Sequence, residues 1–310
     1  MKQDKNRTNN KNTAAAQQQT AAAVRTDLAL EEREQWHREA GAAAALPGVQ
    51  AKEVVRRGVR TTVVRILNRQ GEQELHKPQG TYVTLELRPE EHRALPAFRR
   101  VTQALAAEVV ALMHLSETAS VLVVGLGNES VTPDALGPMV LQRLFVTRHL
   151  LELDAAPFPH LRPVSALQPG VLGTTGMESF DVVRAVIDRV KPDAVVAVDA
   201  LAGRSPERLC ATVQLTDTGI VPGSGVGNRR PAFTPETLGL PVFAIGVPTV
   251  MDATAQRTQD GDPNADMILT PRSIDAKLRQ ISRVIGASLN LALQPQLTGA
   301  QIEQFVEIWQ

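Results

Sequence analysis

Short runs of Val, Leu, Ile and Ala alternate along the chain with segments whose apolar residues recur every three or four positions. Short apolar runs bounded by turn residues are typical of buried strands in a parallel sheet. They predict strands at about 63–67, 82–87, 121–124, 193–201, 211–215 and 242–245. Strands that alternate with helices indicate an α/β fold, and we expect a doubly wound, mostly parallel twisted sheet with helices on both faces.

The helical periodicity between these strands predicts the helices. They cover a segment that ends near Ala45, and then about 98–112, 135–150, 176–190, 274–285 and 302–309. Two signals mark where helices begin: Thr175 and Glu178 have the spacing of a capping box, and Ser273 precedes an apolar helical face. We therefore expect helix N-termini at these two places.

The first part of the chain differs in composition from the rest. Residues 1 to about 24 are mainly Asn, Lys, Gln, Thr and Ala, with nothing to bury, which predicts disorder. We divide the chain into a low-complexity leader at 1–27 and a single α/β domain at 28–310. The last part of that domain, about 257–310, is expected to form a helical tail.

Composition and charge exclude several classes of protein. The 33 basic and 33 acidic residues give zero net charge, which argues against a nucleic-acid binder, because such a protein needs a basic face. The lone Cys210 cannot form an intramolecular disulfide, and its apolar surroundings favour a core position. Neither a membrane-spanning run nor a secretory signal is recognisable in the sequence, so we expect an intracellular protein without membrane partners.

Several short motifs suggest other chemistries, but each of them is incomplete. Ser130 stands where the third glycine of a dinucleotide fingerprint would follow Gly125 and Gly127. Asp217-Thr218-Gly219 matches a motif of pepsin-like proteases, but it occurs once, and the glycines after it favour a turn. No serine lies in a nucleophile-elbow motif, and no histidine has compact metal-ligand spacing. We therefore predict neither a cofactor nor a metal site.

Two aspartates remain, Asp134 after the strand at 121–124 and Asp199 at the end of the next long apolar run. Parallel α/β sheets bind their ligands beyond the carboxyl ends of the strands, so both carboxyl groups are expected at one edge. Two close carboxyl groups can share one proton and activate a water molecule. The alternative for Asp134 is a helix N-cap, whereas an acid such as Asp199 is costly to bury without a partner.

The residues around these aspartates resemble the spore germination proteases of endospore-forming bacteria. The resemblance covers about residues 24–256, and includes VGLGN at 124–128, VTPDALGP at 131–138 and DALAGRS at 199–205. Further matching motifs lie at 146–150, 162–166, 169–173, 176–178, 222–228 and 244–253. These motifs are long and uncommon, so the resemblance is specific.

The resemblance implies an atypical aspartic-type endopeptidase without a metal, whose catalytic residues match Asp134 and Asp199. It also implies a fold similar to that of hydrogenase-maturation endopeptidases and assembly as a homotetramer. Members of the family are made as zymogens in the forespore cytoplasm. During germination they degrade, in the spore core, the small acid-soluble proteins that coat spore DNA.

The resemblance also implies a self-processing site. The sequence RTDLALE at 25–31 is similar to the family's own substrate pattern, which predicts cleavage between Asp27 and Leu28. A segment that follows a disordered tail is expected to be extended and accessible, as a protease requires. The alternative is that Thr26 or Asp27 merely caps a short helix with Glu31 in its first turn.

Glycine-rich turns after the strands are candidates for a substrate loop or an oxyanion-binding site, because such turns leave amide N–H groups unpaired. The candidates are Gly125, Gly127, Asn128, Gly223 and Gly225. Two alternative functions stay open. One is a metal-dependent maturation-type endopeptidase that uses both aspartates and a histidine, and the other is an inactive scaffold of the same fold.

Overall fold

The computed structural model describes residues 26–87, 94–154, 156, 160–223, 230–253 and 267–302, which form one mixed β-sheet covered by helices. Its strands are β1 (Val49–Arg56), β2 (Val59–Ile66), β3 (Gly80–Glu86), β4 (Val121–Gly125), β5 (Val164–Leu167), β6 (Ala194–Gly203), β7 (Thr212–Thr216), β8 (Val242–Asp252) and β9 (Ile268–Leu269). The helices are α1 (Ala29–Ala40), α2 (Arg69–Leu75), α3 (Leu95–Met113), α4 (Leu136–Leu141), α5 (Arg148–Leu153), α6 (Leu172–Thr175), α7 (Ser179–Val190), α8 (Pro235–Leu238) and α9 (Ile274–Leu293).

The sheet has a parallel half and an antiparallel half. Its strand order is β1-β2-β3-β7-β8-β6-β4-β5, and β9 pairs with the end of β8. The four strands β8, β6, β4 and β5 run parallel, and β1, β2, β3 and β7 continue the sheet with antiparallel pairings. The α/β class is confirmed, and the sheet is mixed, with its parallel part around β6. The likeness to hydrogenase-maturation endopeptidases stays a prediction.

Helices cover both faces of the sheet, as predicted. On β4, Val121 and Val123 pack in a large core with α3, α4 and α9, while Leu122 and Val124 pack with α7 and α8. A third cluster places α1 and α2 on β2 and β3 around Tyr82. The residues in register with Tyr82 across the sheet are Thr216, Ala244 and Ala197, so α1 and α2 lie on the same face as α7 and α8.

Several expectations are corrected by the structure. The helix predicted over 135–150 is two short helices, α4 and α5, separated by irregular backbone at 142–147. The capping box of Thr175 and Glu178 does not form: α7 begins after Glu178 without a side-chain cap, and the Thr175 hydroxyl donates to main-chain carbonyls instead. Ser273 does occupy the N-cap of α9, but its side chain makes no capping bond.

Three strands were not predicted, and the first helix ends at Ala40 rather than Ala45. β1 is an edge strand with mostly exposed residues, and β5 and β9 are too short to leave a pattern. The region expected to form a C-terminal tail contributes α9, whose Leu278, Ile281 and Ile285 are fully buried in the main core. Residues 1–25 of the predicted leader at 1–27, and most of the last predicted helix, lie outside the described residues.

The close packing of α4 on β4 depends on two glycines. A Cβ atom on Gly125 would lie 2.7 Å from the backbone of Gly137 and 2.8 Å from Leu141. Real Cβ atoms do not approach other atoms so closely, so the helix can reach the strand only because both positions lack a side chain. This contact fixes the turn that contains Asp134 and precedes α4.

Among the described helices, none is both long and apolar enough to cross a membrane.

Replacement of Gly125 by Ala is expected to separate α4 from β4 and to lower the free energy of unfolding by about 1–3 kcal/mol, the usual cost of overpacking. Urea denaturation measures this effect. Gly173→Ala is the matched control, because Gly173 lies in the helix α6 and a Cβ atom at this position would meet nothing within 4 Å. The control should be neutral or stabilising by up to about 1 kcal/mol. Equal stability of the two variants would contradict the packing argument.

Candidate active site

Asp199 lies in the middle of the sheet, at the point where β6 outlasts its neighbour β4. The last residue of β4, Gly125, pairs with Val198, so Asp199 is the first residue of β6 beyond that pairing. On its other side Asp199 is in register with Gly246 of β8. The side chain is 4% exposed, and the Ala200 amide donates a hydrogen bond of 2.9 Å to its Oδ1.

Asp134 reaches the same edge from the loop that follows β4. It ends a short 3₁₀ turn, Thr132–Asp134, and this turn packs against β6 and β8. The Asn128 amide donates a hydrogen bond of 2.7 Å to Asp134 Oδ2. Gly127 has a φ of 105° and faces the Asp134 carbonyl so closely that a Cβ atom would not fit. The glycine therefore allows the loop to fold back on the aspartate.

Both carboxyl groups have raised pKa values, and the charge of Asp134 contributes to the shift of Asp199. Burial raises the pKa of Asp199 well above its usual value, and the nearby charges of Asp134 and, more weakly, Asp27 raise it further against the Ala200 hydrogen bond. Burial also raises the pKa of Asp134, while the Asn128 amide and Arg230 oppose that rise. Asp199 therefore holds its proton more firmly, and Asp134 is the acid that ionises first.

The N-terminal segment Thr26–Leu28 lies against the part of β6 that β4 leaves uncovered. The Asp27 amide donates to the Ala202 carbonyl at 2.9 Å, and the Ala202 amide donates to Asp27 Oδ2 at 2.8 Å. Lys77 Nζ donates to the Thr26 carbonyl at 3.0 Å. The predicted cleavage site is thus near enough to the aspartates for the charge of Asp27 to affect Asp199.

A glutamine on β7 holds the other side of this segment. Gln214 Nε2 donates to the Asp27 carbonyl at 3.0 Å, and Gln214 Oε1 accepts from the Ala29 amide at 2.8 Å. Sequence reasoning missed this residue. The signal was a polar residue between Val213 and Leu215, at a strand position that alternation places on the opposite face from theirs.

Burial of the segment corrects one premise of the sequence analysis. Leu28 and Ala29 are fully buried rather than accessible, and Leu28 is extended backbone at the N-cap of α1. Thr26 and Asp27 therefore do not occupy the cap position. Glu31 does lie in the first turn, where it accepts from the amides of Arg204 and Ser205 and pairs with Arg208. These bonds to the loop after β6 hold α1 in place.

A cavity of about 1330 Å³ opens on the same face of the sheet, beside α1 and α2. Its lining includes Asp27, Lys77, Gln214 and Gly246, and it also includes Tyr82 of β3. Asp134 and Asp199 do not line it. The cavity therefore reaches the N-terminal segment and the glutamine, and adjoins the carboxyl groups rather than containing them.

The remaining predicted site residues have varied surroundings. Gly125 contacts α4, and the Asn128 amide is engaged with Asp134. Gly223 has a φ of 70° at the end of a described stretch, and Gly225 lies outside the described residues. A role for these residues in binding an oxyanion stays a prediction.

The alternative chemistries find no site among the described residues. Asp217 accepts a hydrogen bond of 2.7 Å from the Thr81 amide, as expected for a structural turn residue. Cys210 is buried, and burial raises its pKa to about 11, so the thiol stays protonated at neutral pH. Within the described ranges, no three His, Cys, Asp or Glu side chains are grouped so as to hold a metal ion.

Comparison with known proteins gives a consistent result. The family model described as germination protease matches residues 23–261. The chain is 41% identical to the germination protease of Caldanaerobacter subterraneus subsp. tengcongensis over 322 aligned positions, which cover 91% of this chain and 98% of the relative. It is 36% identical to that of Clostridium tetani, with 91% and 99% covered. The identity to the protein of Bacillus pumilus is 46%, with 76% and 65% covered.

Replacement of Asp199 by Asn is expected to raise the urea midpoint at pH 7. Because its pKa is raised by folding, Asp199 keeps a proton in the folded chain that the unfolded chain loses above about pH 4. Stability of the wild type therefore falls as pH rises from that value toward the folded pKa, whereas Asn has no proton to lose. The advantage of Asp199→Asn should shrink as the pH approaches 4.

Asp193→Asn is the control for which the opposite change of the urea midpoint is expected, and Asp193 directly precedes β6, the strand of Asp199. Hydrogen bonds from the amide and hydroxyl of Ser120 lower the pKa of Asp193. Its ionised form therefore stabilises the fold above the unfolded pKa, and Asn should lower the midpoint at pH 7. The burial argument would be refuted if the urea midpoint of Asp199→Asn were below that of the wild type at pH 7 and the difference between them did not change with pH.

Proposed function

The chain belongs to the germination protease family, and from this membership we propose that it begins the degradation of the small acid-soluble proteins that protect spore DNA. It is a peptidase, and we infer an endopeptidase of the aspartic type. The observation that carries this inference is that Asp134 and the buried Asp199 meet at the carboxyl edge of the parallel strands, close enough for the charge of Asp134 to raise the pKa of Asp199.

The mechanism follows from the different environments of the two acids. Asp134 is the more exposed and accepts a hydrogen bond from an amide, which favours its ionised form, so it takes a proton from the attacking water. Asp199 is buried and keeps its proton, with which it polarises the scissile carbonyl. The nitrogen then leaves as the amine. Two acids pushed to different pKa values can therefore supply both the base and the acid.

We propose that the chain is a zymogen that cleaves itself between Asp27 and Leu28. The supporting observation is that Asp27 is bound to β6 beside Asp199, with an extended residue, Leu28, directly after it. The segment thus lies where a substrate of the same sequence would have to lie. Until it is cut, it also occupies the space beside the aspartates, which accounts for an inactive precursor.

The setting of the enzyme follows from the family resemblance. We propose a homotetramer in the cytoplasm of the forespore and later in the spore core, where its substrates are bound to DNA. The zero net charge is in keeping with an enzyme that acts on DNA-binding proteins without binding nucleic acid itself.

A metal-dependent mechanism is the second candidate, and the geometry does not favour it. It would require a histidine or a third acid beside Asp134 and Asp199, and no such group of three exists in the described part of the chain. Cleavage assays with and without EDTA separate the two mechanisms.

Asn at position 134 or 199 is expected to lower the rate of peptide cleavage by about 10²–10⁴-fold, the usual contribution of a general acid or base. The rate is measured on a peptide spanning residues 25–31, with circular dichroism to verify the fold. Asp217→Asn is the matched control, since Asn keeps the oxygen that accepts from Thr81, and its rate should stay within a few-fold of the wild type. Full activity of Asp199→Asn would refute the proposed aspartate pair.

Incubation of the purified full chain at mildly acidic pH should yield a new N-terminus at Leu28. The rate should fall as pH rises, because a pair with raised pKa values loses its shared proton. N-terminal sequencing and intact mass measure the product at each pH. A terminus at another residue, or none in an active enzyme, would exclude this processing site.

A further inference from the structure

The N-terminal segment lies on the side of the sheet that three residues in register on β6, β8 and β7 face. Asp199 of β6 is in register with Gly246 of β8, which is in register with Gln214 of β7. Neighbouring strands are about 4.8 Å apart, so the Cα atoms of Asp199 and Gln214 are separated by about 10 Å. Asp27 bridges the two outer strands: its amide and carboxylate bind Ala202, three residues after Asp199 on β6, and its carbonyl binds Gln214 on β7.

The side chain of Gln214 is dedicated to the backbone on either side of the Asp27–Leu28 bond. It is 5% exposed, and both of its polar atoms bond to this segment, Nε2 to the Asp27 carbonyl and Oε1 to the Ala29 amide. A buried amide without partners would cost free energy, so the glutamine requires a peptide in this place or a substitute for it. Because both contacts are to main chain, they suit any substrate residue.

We infer that Gln214 is a catalytic residue that holds the oxygen of the scissile carbonyl and stabilises the oxyanion formed during cleavage. This inference rests on the proposed cleavage between Asp27 and Leu28, which makes the Asp27 carbonyl the one attacked. The Nε2–O distance of 3.0 Å is within the range for an oxyanion donor. The same amide would then bind the carbonyl of other substrates once the leader is removed.

The step balances with the two aspartates. The water oxygen forms a bond to the Asp27 carbonyl carbon, Asp134 takes the proton, and the carbonyl π electrons move onto the oxygen. Gln214 supports that charge through its N–H without transferring a proton. When the C–N bond breaks, the electron pair returns to the carbonyl, and the Leu28 nitrogen takes the proton of Asp199. Gln214 thus supplies a fixed hydrogen-bond donor to the oxyanion, in addition to the acid that Asp199 provides.

The test compares Gln214→Glu and Gln214→Met in the full chain, with self-processing followed by intact mass from pH 5 to 8. Ionised Glu keeps the acceptor for the Ala29 amide but cannot donate to the carbonyl, so the rate at neutral pH should fall by about 10²–10³-fold. As Glu becomes protonated in acid, its O–H can donate, and the deficit relative to the wild type should shrink. Met cannot donate at any pH, so its deficit should be constant.

Gln103→Glu is the matched control, because Gln103 is exposed on α3 and its side-chain oxygen accepts from Arg57, a contact that Glu keeps. It should process at the wild-type rate. Deficits of Gln214→Glu and Gln214→Met that run parallel across the pH range would show a packing role and overturn the inference. So would wild-type processing by Gln214→Glu at neutral pH. A wild-type cut at another bond overturns the proposed function together with this inference.

Discussion

A carboxyl group buried within a central strand, at the point where the neighbouring strand ends, is the constraint on which the rest of this molecule depends. An ionised Asp199 would cost several kcal/mol at this position, even after relaxation of its surroundings. The Ala200 amide donates to its carboxyl group, and its strongest charged neighbour among the described residues is another acid, Asp134. The site therefore keeps a proton in place of a salt bridge, and this proton is what a hydrolytic acid needs.

The mixed sheet places the two sides of the site on different kinds of strand. The parallel half delivers Asp199 and, through the loop after β4, Asp134, because parallel strands end at one edge. The antiparallel half delivers Gln214 on β7, which runs opposite to β8 and brings a side chain to the far side of the same row. A peptide lying between β6 and β7 thus meets acids from one half and an amide from the other.

The N-terminal segment satisfies polar groups that would otherwise be buried without partners. It bonds to the main chain of Ala202 and to both polar atoms of Gln214, and α1 is held through Glu31. Each of these groups would pay a desolvation penalty of about 1–3 kcal/mol if it lost its partner without access to water. In the proposed self-processing, the same groups would bind the backbone of a substrate chain once the leader is removed.

The sequence by itself determined the α/β class and the central strands, because long apolar runs are local patterns. It predicted Asp134 and Asp199 as catalytic residues, and that role stays a proposal. It also predicted Asp217 as a turn residue and Cys210 as a core residue, and both are confirmed. The antiparallel half, the break between α4 and α5, and the burial of Leu28 were decided by tertiary structure. β1 is exposed and has no periodicity, and Leu28 is covered by contacts with residues distant in sequence. The position of Gln214 was also decided by tertiary structure, because it lies across the sheet from Asp199 only through the pairing of β8 with β6 and with β7.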